Sequence, residues 1–364
     1  MDDINLVVCN LYPFQQTLNS DADHATIIEN IDIGGPTMLR AAAKNYEGVS
    51  VVIAPTDYEM ILAELEENGK ISIETNLKLA GKVFNHTAHY DAMIASYFNN
   101  KLNIKYPEQL TLAYDKVQNL RYGENPHQTA GFYKQTTNSK GLLTNAEQLH
   151  GKELSYNNIS DTNGGLETLK EFSAPTVVAV KHGTACGVGS AQTIAEAYQK
   201  AYEADPVAIF GGIVLANATI DKETAEQMSQ IFLEVIIAPN YTDEALEILT
   251  KKKNIRILRL EEIAQPNSSQ FVAKTVLGGL LLQDADKELF NENDLKVVTK
   301  KAPTEKEMED LLFAWKLVKH TKSNGIVLAK NSQSIGIGSG QVSRIGALEI
   351  ATRQAKEKAQ GGVL

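Results

Sequence analysis

Lys181 and His182 follow a run of valines, and they are the residues of this sequence best suited to acid–base chemistry. They lie in the stretch VAVKHGTACGVG, where small residues and three glycines come after them. Histidine titrates near neutral pH and can act as a general base, while a neighbouring lysine can stabilise a developing anion. Because open α/β sheets bind ligands at the carboxyl ends of their strands, the pattern predicts a site here. A surface lysine beside a capped histidine is the alternative interpretation.

Two further segments carry groups that could hold an anion. Arg121 and Tyr122, in LRYGENPHQ, offer a guanidinium that binds phosphate through two hydrogen bonds and an aromatic hydroxyl. Asp32 stands ahead of a Gly-Gly turn and a helix start, whose amide groups can bind an anion, and Lys44 lies far along that helix. For LRYGENPHQ the alternative is a structured turn whose polar groups satisfy one another. For the Asp32 segment it is an ordinary helix cap with a surface lysine.

The other motifs argue against several common cofactors. Asn324 lies in TKSNGIVLAKN, and Arg344 ends SIGIGSGQVSR, whose glycines are spaced G-x-G-x-G rather than G-x-G-x-x-G. A nicotinamide cofactor is therefore not expected, and no G-x-x-x-x-G-K-[ST] loop supports ATP binding by that route. Two cysteines cannot build a zinc site of several cysteines, and the pair His86 and His89 has no third ligand nearby in the sequence.

Composition and charge narrow the class of protein. The chain has 364 residues, 43% of them hydrophobic and 22% charged, which is typical of a globular protein of two or three domains. A net charge of −10 disfavours a nucleic-acid groove but allows a local basic pocket for a phosphorylated ligand. The sequence contains neither an apolar run long enough to span a membrane nor a signal peptide at its start, so we expect a cytoplasmic protein.

The elements that must position these residues alternate between strands and helices. In the first part the patterns predict a buried strand that begins at Leu6 and ends at Pro13, a strand at 49–54 and helices at 37–45 and 74–99, with Thr56-Asp57 able to cap an intervening helix. In the second part they predict strands at 175–180, 207–216, 235–238, 255–260, 326–329 and 334–338, and helices at 195–203, 219–231 and 305–320. A polar break near residues 105–118 separates two layered α/β parts.

Seven of these segments together resemble one enzyme family. They are LVVCNLYPF, ENIDIGGPTMLRAAAKN, LRYGENPHQ, VAVKHGTACGVG, DPVAIFGGIVLAN, EVIIAPNY and SNGIVLAK…GIGSGQVSR. They occur in the order found in the bifunctional purine biosynthesis enzymes, which combine AICAR (aminoimidazole carboxamide ribonucleotide) transformylase with IMP cyclohydrolase. The resemblance spans nearly the whole chain, and several of the segments are long and unusual.

The resemblance implies the fold and the domains. Residues 1–112 correspond to an incomplete cyclohydrolase domain with a methylglyoxal-synthase-like α/β fold. Residues 113–364 correspond to a transformylase domain built from two cytidine-deaminase-like α/β halves. Family members start earlier and continue past Leu364, so we expect a fragment truncated at both ends.

The resemblance also implies roles for individual residues. Lys181 and His182 match the catalytic pair of the transformylase, and Tyr12, Asp32 and Lys44 match residues of the ring-closure site. The positions that match substrate contacts are Asn10, Arg121, Tyr122, Asn158, Gly212, Glu234, Asn324 and Arg344. One departure lies in the catalytic loop, where Thr184-Ala185 stand at positions that the family fills with Asn-Pro.

The implied reaction transfers a formyl group from 10-formyltetrahydrofolate to the 5-amino group of AICAR, and the product, formyl-AICAR, closes to IMP. Zinc is not expected, because the H-x-E…P-C-x-x-C deaminase signature is missing. A bound monovalent cation is compatible with the resemblance, which further implies a homodimer and neither a nucleic-acid nor a membrane partner. Two alternatives remain, namely a fragment that binds purine nucleotide without turnover and another α/β enzyme that uses a general-base histidine, such as a zinc-free hydrolase.

Overall fold

The computed structural model describes residues 4–136, 139–266 and 271–364. The chain divides into two compact units. The first consists of Met1–Gln118 and Phe132–Asn138, and the second of Asn119–Gly131 and Ser139–Leu364. Among the residues described, no helix is long and apolar enough to cross a membrane.

The first unit packs helices against a short parallel strand pair. Its elements are β1 (Leu6–Val8), α1 (Phe14–Leu18), α2 (His24–Glu29), α3 (Gly34–Lys44), β2 (Ser50–Val52), α4 (Tyr58–Asn68), α5 (Ile73–Lys101), β3 (Tyr114–Leu120) and β4 (Ala130–Gln135). Strands β1 and β2 pair in parallel, and Leu39 of α3, Val51 and Val52 of β2 and Val83 of α5 form part of the buried core.

Two sequence-based expectations for this unit are wrong. A strand does begin at Leu6, but it is neither buried nor continued to Pro13, because β1 has three residues and Leu6 and Val8 are 43% and 50% exposed. Successive side chains of a strand face opposite sides, and only Val7 packs against the core. The Asp57 side chain does not cap α4, since it accepts hydrogen bonds from the Lys82 ammonium at 2.6 and 2.8 Å instead.

The second unit is built on a six-stranded mixed sheet. Its elements are β5 (Glu147–His150), α6 (Tyr156–Leu169), β6 (Thr176–Lys181), β7 (Thr184–Ser190), α7 (Ile194–Ala204), β8 (Ile213–Ala216), α8 (Lys222–Met228), β9 (Val235–Ala238), α9 (Asp243–Leu249), β10 (Arg256–Arg259), β11 (Phe271–Val276), β12 (Gly279–Asp284), α10 (Glu305–Lys319), β13 (Ile326–Ala329), β14 (Ser334–Gly338) and α11 (Arg344–Ala355). The strand order in the sheet is β5-β10-β9-β8-β6-β7. Strands β8, β9 and β10 are parallel, whereas β6 is antiparallel to both of its neighbours.

Helices cover both faces of this sheet. Along β6, Val177 and Ala179 face a core shared with α7, α8 and α9, while Val178 and Val180 face a core shared with α6 and α10. A strand buried on both faces reads as a continuous apolar run, which explains the valines ahead of Lys181. The α/β class with a multistranded sheet is therefore confirmed.

Most of the expected strands of the second unit are present, and one is much shorter than expected. Strands β9, β13 and β14 have the predicted bounds. The segment 207–216 forms a strand only from Ile213 onwards. Val207 is 83% exposed, and Gly211 has a φ of +68°, so this part of the apolar run forms turns before it enters the sheet. The helix expected at 219–231 spans only Lys222–Met228.

Candidate active site

The Lys-His pair lies at the tip of the β6–β7 hairpin. Lys181 pairs with Thr184, so His182 and Gly183 form a two-residue connection. Their φ angles are +53° and +70°, and two positive φ values at the central positions define a type I′ turn, the preferred connection of tight hairpins. The turn places the His182 side chain in an exposed position beyond the end of the buried strand.

The backbone of a neighbouring loop holds the Lys181 side chain. Its ammonium donates a hydrogen bond to the carbonyl oxygen of Phe210 at 2.8 Å. Gly212 follows in the same loop, and a Cβ at this position would lie 2.9 Å from the Val180 carbonyl oxygen. Only a glycine lets the loop approach β6 this closely, so Gly212 fixes the loop that holds the lysine.

Glu234, which directly precedes β9, contacts the same loop. Its backbone N–H donates to the Gly212 carbonyl at 2.9 Å, and its carboxylate forms an ion pair with the Arg256 guanidinium at 2.8 Å. The Arg256 side chain is only 10% exposed and also donates to the Glu153 carbonyl. The structure therefore brings Lys181, Gly212 and Glu234 together, and it adds Arg256, which carries no local signal in the sequence.

Asn158 lies in the first turn of α6 and is buried. It forms a capping box with Ser155, in which each side chain accepts the backbone N–H of the other residue at 3.1 Å. Its neighbour Asn157 donates to the Glu124 carbonyl at 3.3 Å, which links α6 to the LRYGENPHQ segment.

The LRYGENPHQ segment folds into a turn with internal hydrogen bonds. The Gly123 N–H donates to the Gln128 carbonyl, and the Asn125 N–H donates to the Gln128 side chain, both at 2.8 Å. The Arg121 guanidinium carbon lies 5.1 Å from the centre of the Tyr122 ring. Arg121 itself is exposed, so the turn presents a guanidinium stacked on an aromatic face.

Asn324 and Arg344 lie at the ends of the β13–β14 region. The backbone groups of Asn324 and Gln341 exchange two hydrogen bonds, and Arg344 is the exposed first residue of α11. The Ser190 N–H donates to the Ser332 carbonyl, and the Val188 N–H to the Ser334 hydroxyl, both at 2.9 Å. Across residues 4–136, 139–266 and 271–364, no hydrogen bond or ion pair joins Asn324 or Arg344 to the Lys-His turn.

In the first unit Asp32 binds two segments of backbone. One carboxylate oxygen accepts the Gly35 N–H at 2.7 Å and the other accepts the Tyr12 N–H at 3.2 Å, while the Asp32 N–H donates to the Tyr90 hydroxyl at 2.7 Å. Burial raises the pKa of Tyr90. Tyr12 is 56% exposed. The structure thus places Tyr12 beside Asp32 at the start of α3.

Asn10 and Lys44 have different surroundings. The Asn10 amide donates to the Ile53 carbonyl at 2.9 Å and its oxygen accepts from the Tyr58 hydroxyl at 3.3 Å. Lys44 is exposed at the last residue of α3. Because a helix rises 1.5 Å per residue, the length of α3 alone separates Lys44 from the helix start near Asp32 by about 15 Å.

The described part of the chain shows no group of three or more His, Cys, Asp or Glu side chains that could hold a metal ion. Of the histidine pair on α5, His89 lies 3.3 Å from the Asp115 carboxylate. Burial lowers the pKa of His86, and the neighbouring His89 and Lys82 side chains act in the same direction.

Asp161 is a further residue beside the Lys-His turn. This residue lies on α6 and faces the His182–Gly183 turn, since its carboxylate oxygen is 3.8 Å from the position of a Cβ on Gly183. A single aspartate within a helix carries no local signal, and only the packing of α6 against the hairpin reveals it.

Comparison with known proteins defines the class to which this fold and site belong. A family model described as the AICARFT/IMPCHase bienzyme matches residues 42–354. The chain belongs to this family of two-activity enzymes.

Individual relatives carry the match over the whole chain. The bifunctional purine biosynthesis protein PurH of Acetivibrio thermocellus is 55% identical over 367 residues, which cover 100% of this chain and 71% of that protein. The protein of the same name from Oceanobacillus iheyensis is 56% identical over 362 residues, which cover 99% of this chain and 71% of that protein. The protein of the same name from Bacillus cereus is 53% identical over 365 residues, which cover 100% of this chain and 71% of that protein.

Proposed function

We propose that this chain transfers a formyl group from 10-formyltetrahydrofolate to the 5-amino group of AICAR and that the product, formyl-AICAR, closes to IMP with loss of water. Membership of the AICARFT/IMPCHase family supports both activities. The observation that carries the first is the β6–β7 turn, which exposes His182 beside a lysine held in place by a backbone carbonyl.

His182 is the general base of the formyl transfer in this proposal. The 5-amino group of AICAR is a poor nucleophile, because its lone pair is delocalised into the ring and the carboxamide. His182 takes a proton from this nitrogen as it attacks the formyl carbon. The Lys181 ammonium stabilises the oxyanion that forms there or assists the departure of tetrahydrofolate.

The remaining candidates bind the nucleotide. Arg121 and Arg344 are exposed guanidinium groups suited to a phosphate. The Glu234 carboxylate is already paired with the Arg256 guanidinium. We assign Glu234 a contact with the substrate that leaves this ion pair intact. The other proposed substrate contacts of the transformylase are Tyr122, Asn158, Gly212 and Asn324.

Ring closure is assigned to the first unit. Asp32 and Lys44 would manage the proton transfers, and Tyr12, with Asn10 nearby, would orient the substrate. The pairing of Asp32 with the Tyr12 backbone at the start of α3 supports the first part of this assignment. Lys44 has to reach the substrate from the far end of that helix.

The same proposal includes the fold of each domain and the partners of the protein. We assign a methylglyoxal-synthase-like fold to residues 1–112 and two cytidine-deaminase-like halves to residues 113–364. We further propose that the protein forms a homodimer in the cytoplasm. In this proposal it uses no zinc, and the binding of a monovalent cation is compatible with it.

Release of tetrahydrofolate from 10-formyltetrahydrofolate and AICAR tests the function. The assay compares this chain with a version extended at both ends to the length of the relatives, and each with its His182→Gln variant. We expect the substitution to lower turnover by about a hundredfold or more and to leave AICAR binding intact. His150→Gln, at the opposite edge of the sheet in β5, is the matched control and should keep full activity.

Two results would contradict the proposal. Full activity of His182→Gln would remove the histidine from the mechanism. AICAR binding without turnover in both lengths of chain would favour a nucleotide-binding protein or would show that Thr184-Ala185 changes the catalytic loop.

A further inference from the structure

The His182 backbone needs support from its surroundings. A φ of +53° lies in the left-handed region, where the Cβ of an ordinary residue crowds the following carbonyl oxygen. Gly183, at +70°, has no such conflict. The direction in which the His182 ring leaves the hairpin therefore depends on whatever holds this turn.

Helix α6 packs directly against the turn. At Gly164, a Cβ would lie 2.9 Å from the carbonyl oxygen of Gly183, so the helix and the turn are in close contact. Asp161 is three residues earlier on the same helix face. Its carboxylate oxygen lies 3.8 Å from the position of a Cβ on Gly183.

Asp161 is also electrostatically coupled to the turn. Burial raises the pKa of its carboxyl group, while the neighbouring His182 side chain and the backbone N–H groups of His182 and Gly183 act in the opposite direction. The other segments beside the turn, β7 and residues 209–213, contain no charged side chain, and the Lys181 ammonium is bonded to the Phe210 carbonyl.

We propose that Asp161 is a positioning residue for His182. Its carboxylate holds the backbone N–H groups of the His182–Gly183 turn and thereby fixes the direction of the imidazole. The inference rests on the proposed role of His182 as general base, and it gives Asp161 no contact with either substrate.

Three variants of the full chain test this role by steady-state kinetics. Asp161→Ala removes the carboxylate, and we expect kcat to fall by about a hundredfold, as a misplaced catalytic group would cause, with KM for AICAR nearly unchanged. Asp161→Asn keeps one carbonyl oxygen as acceptor and should recover part of the loss. Glu167→Ala is the control, because this exposed residue of the same helix contacts Asn163 rather than the turn.

Amide hydrogen exchange supplies a readout that does not require turnover. In Asp161→Ala the amides of His182 and Gly183 should exchange faster than in the parent chain, while those of β6 stay protected. If both lengths of chain bind AICAR without turnover, the proposed function fails and exchange alone decides the role of Asp161. Unchanged exchange in Asp161→Ala would overturn the inference, and so would an unchanged kcat or a rise confined to KM.

Discussion

The carboxylate of Asp32 joins two backbone segments of the first unit, and its geometry dictates the residue type at a neighbouring position. Each oxygen accepts one N–H group, from Gly35 and from Tyr12. A Cβ on Gly35 would lie 2.6 Å from one of these oxygens and 2.7 Å from the Leu11 side chain. Glycine is therefore required at position 35 by close approach, whereas Gly34 has no atom within 4 Å of its Cβ position.

Gly35→Ala should accordingly destabilise the first unit by about 1–3 kcal/mol, because the added methyl group displaces the Asp32 carboxylate from its N–H partners. Urea unfolding monitored by circular dichroism measures this effect. Gly34→Ala, one residue earlier in the same helical turn, is the matched control and should not lower the free energy of unfolding. Equal stability of the two variants would show that Asp32 can move without loss.

At the scale of elements, a charged cluster links the end of α6 to the end of α10. The Glu171 carboxylate lies 2.9 Å from the Lys319 ammonium and 2.8 Å from Nε2 of His320. The Lys319 and Glu171 side chains are only 9% and 17% exposed. Burial alone would raise the pKa of Glu171, but the hydrogen bonds and charges of His320 and Lys319 outweigh it and lower the pKa.

The lowered pKa of Glu171 makes the stability of the second unit depend on pH. A carboxyl group with a depressed pKa in the folded state stabilises the protein above its unfolded value near 4.5, and this stabilisation disappears as the pH falls through the folded value. Glu171→Gln should therefore cost about 3 kcal/mol at pH 7, and the difference from the parent chain should shrink below pH 4.5. Denaturant unfolding at several pH values checks this.

The control for that experiment is Glu226→Gln, which removes an exposed ion pair with Lys222. Pairs of this kind contribute little, so its effect should be small at every pH. A cost of Glu171→Gln that stayed constant down to pH 3 would mean that the ion pairs contribute nothing to the difference.

Some elements were predictable because their signals are local, and others were not. The strands at 235–238 and 334–338 are short apolar runs bounded by polar or turn residues, and the structure confirms both. The run from Val207 has the same composition, but its first part forms turns that bring the Phe210 carbonyl to Lys181. Periodicity cannot distinguish these outcomes, since the cause is a contact with another strand.

The same limit applies to the candidate site. Lys181 and His182 stand out because their types and their position after a buried strand are visible in the sequence. Asp161 and Arg256 do not stand out, because their roles depend on contacts with other elements. Asp161 faces the His182–Gly183 turn, and Arg256 pairs with Glu234. Tertiary contacts of this kind leave no pattern in a single sequence.

At the scale of the whole molecule, the two compact units contain separate hydrophobic cores. Leu39 lies in a buried cluster whose members all belong to the first unit. Leu215 lies in a cluster whose members all belong to the second. Both side chains are fully buried. Because cooperativity arises from shared packing, separate cores favour separate unfolding transitions.

Leu39→Ala should therefore lower one thermal transition and leave the other in place. Removing a fully buried leucine side chain costs about 2–5 kcal/mol, which corresponds to roughly 10 °C for a unit of this size. Leu215→Ala makes the same chemical change in the second core and should lower the other transition instead. Differential scanning calorimetry of the parent chain and both variants separates the two effects. A single transition that both substitutions lower equally would show that the two cores unfold as one cooperative structure.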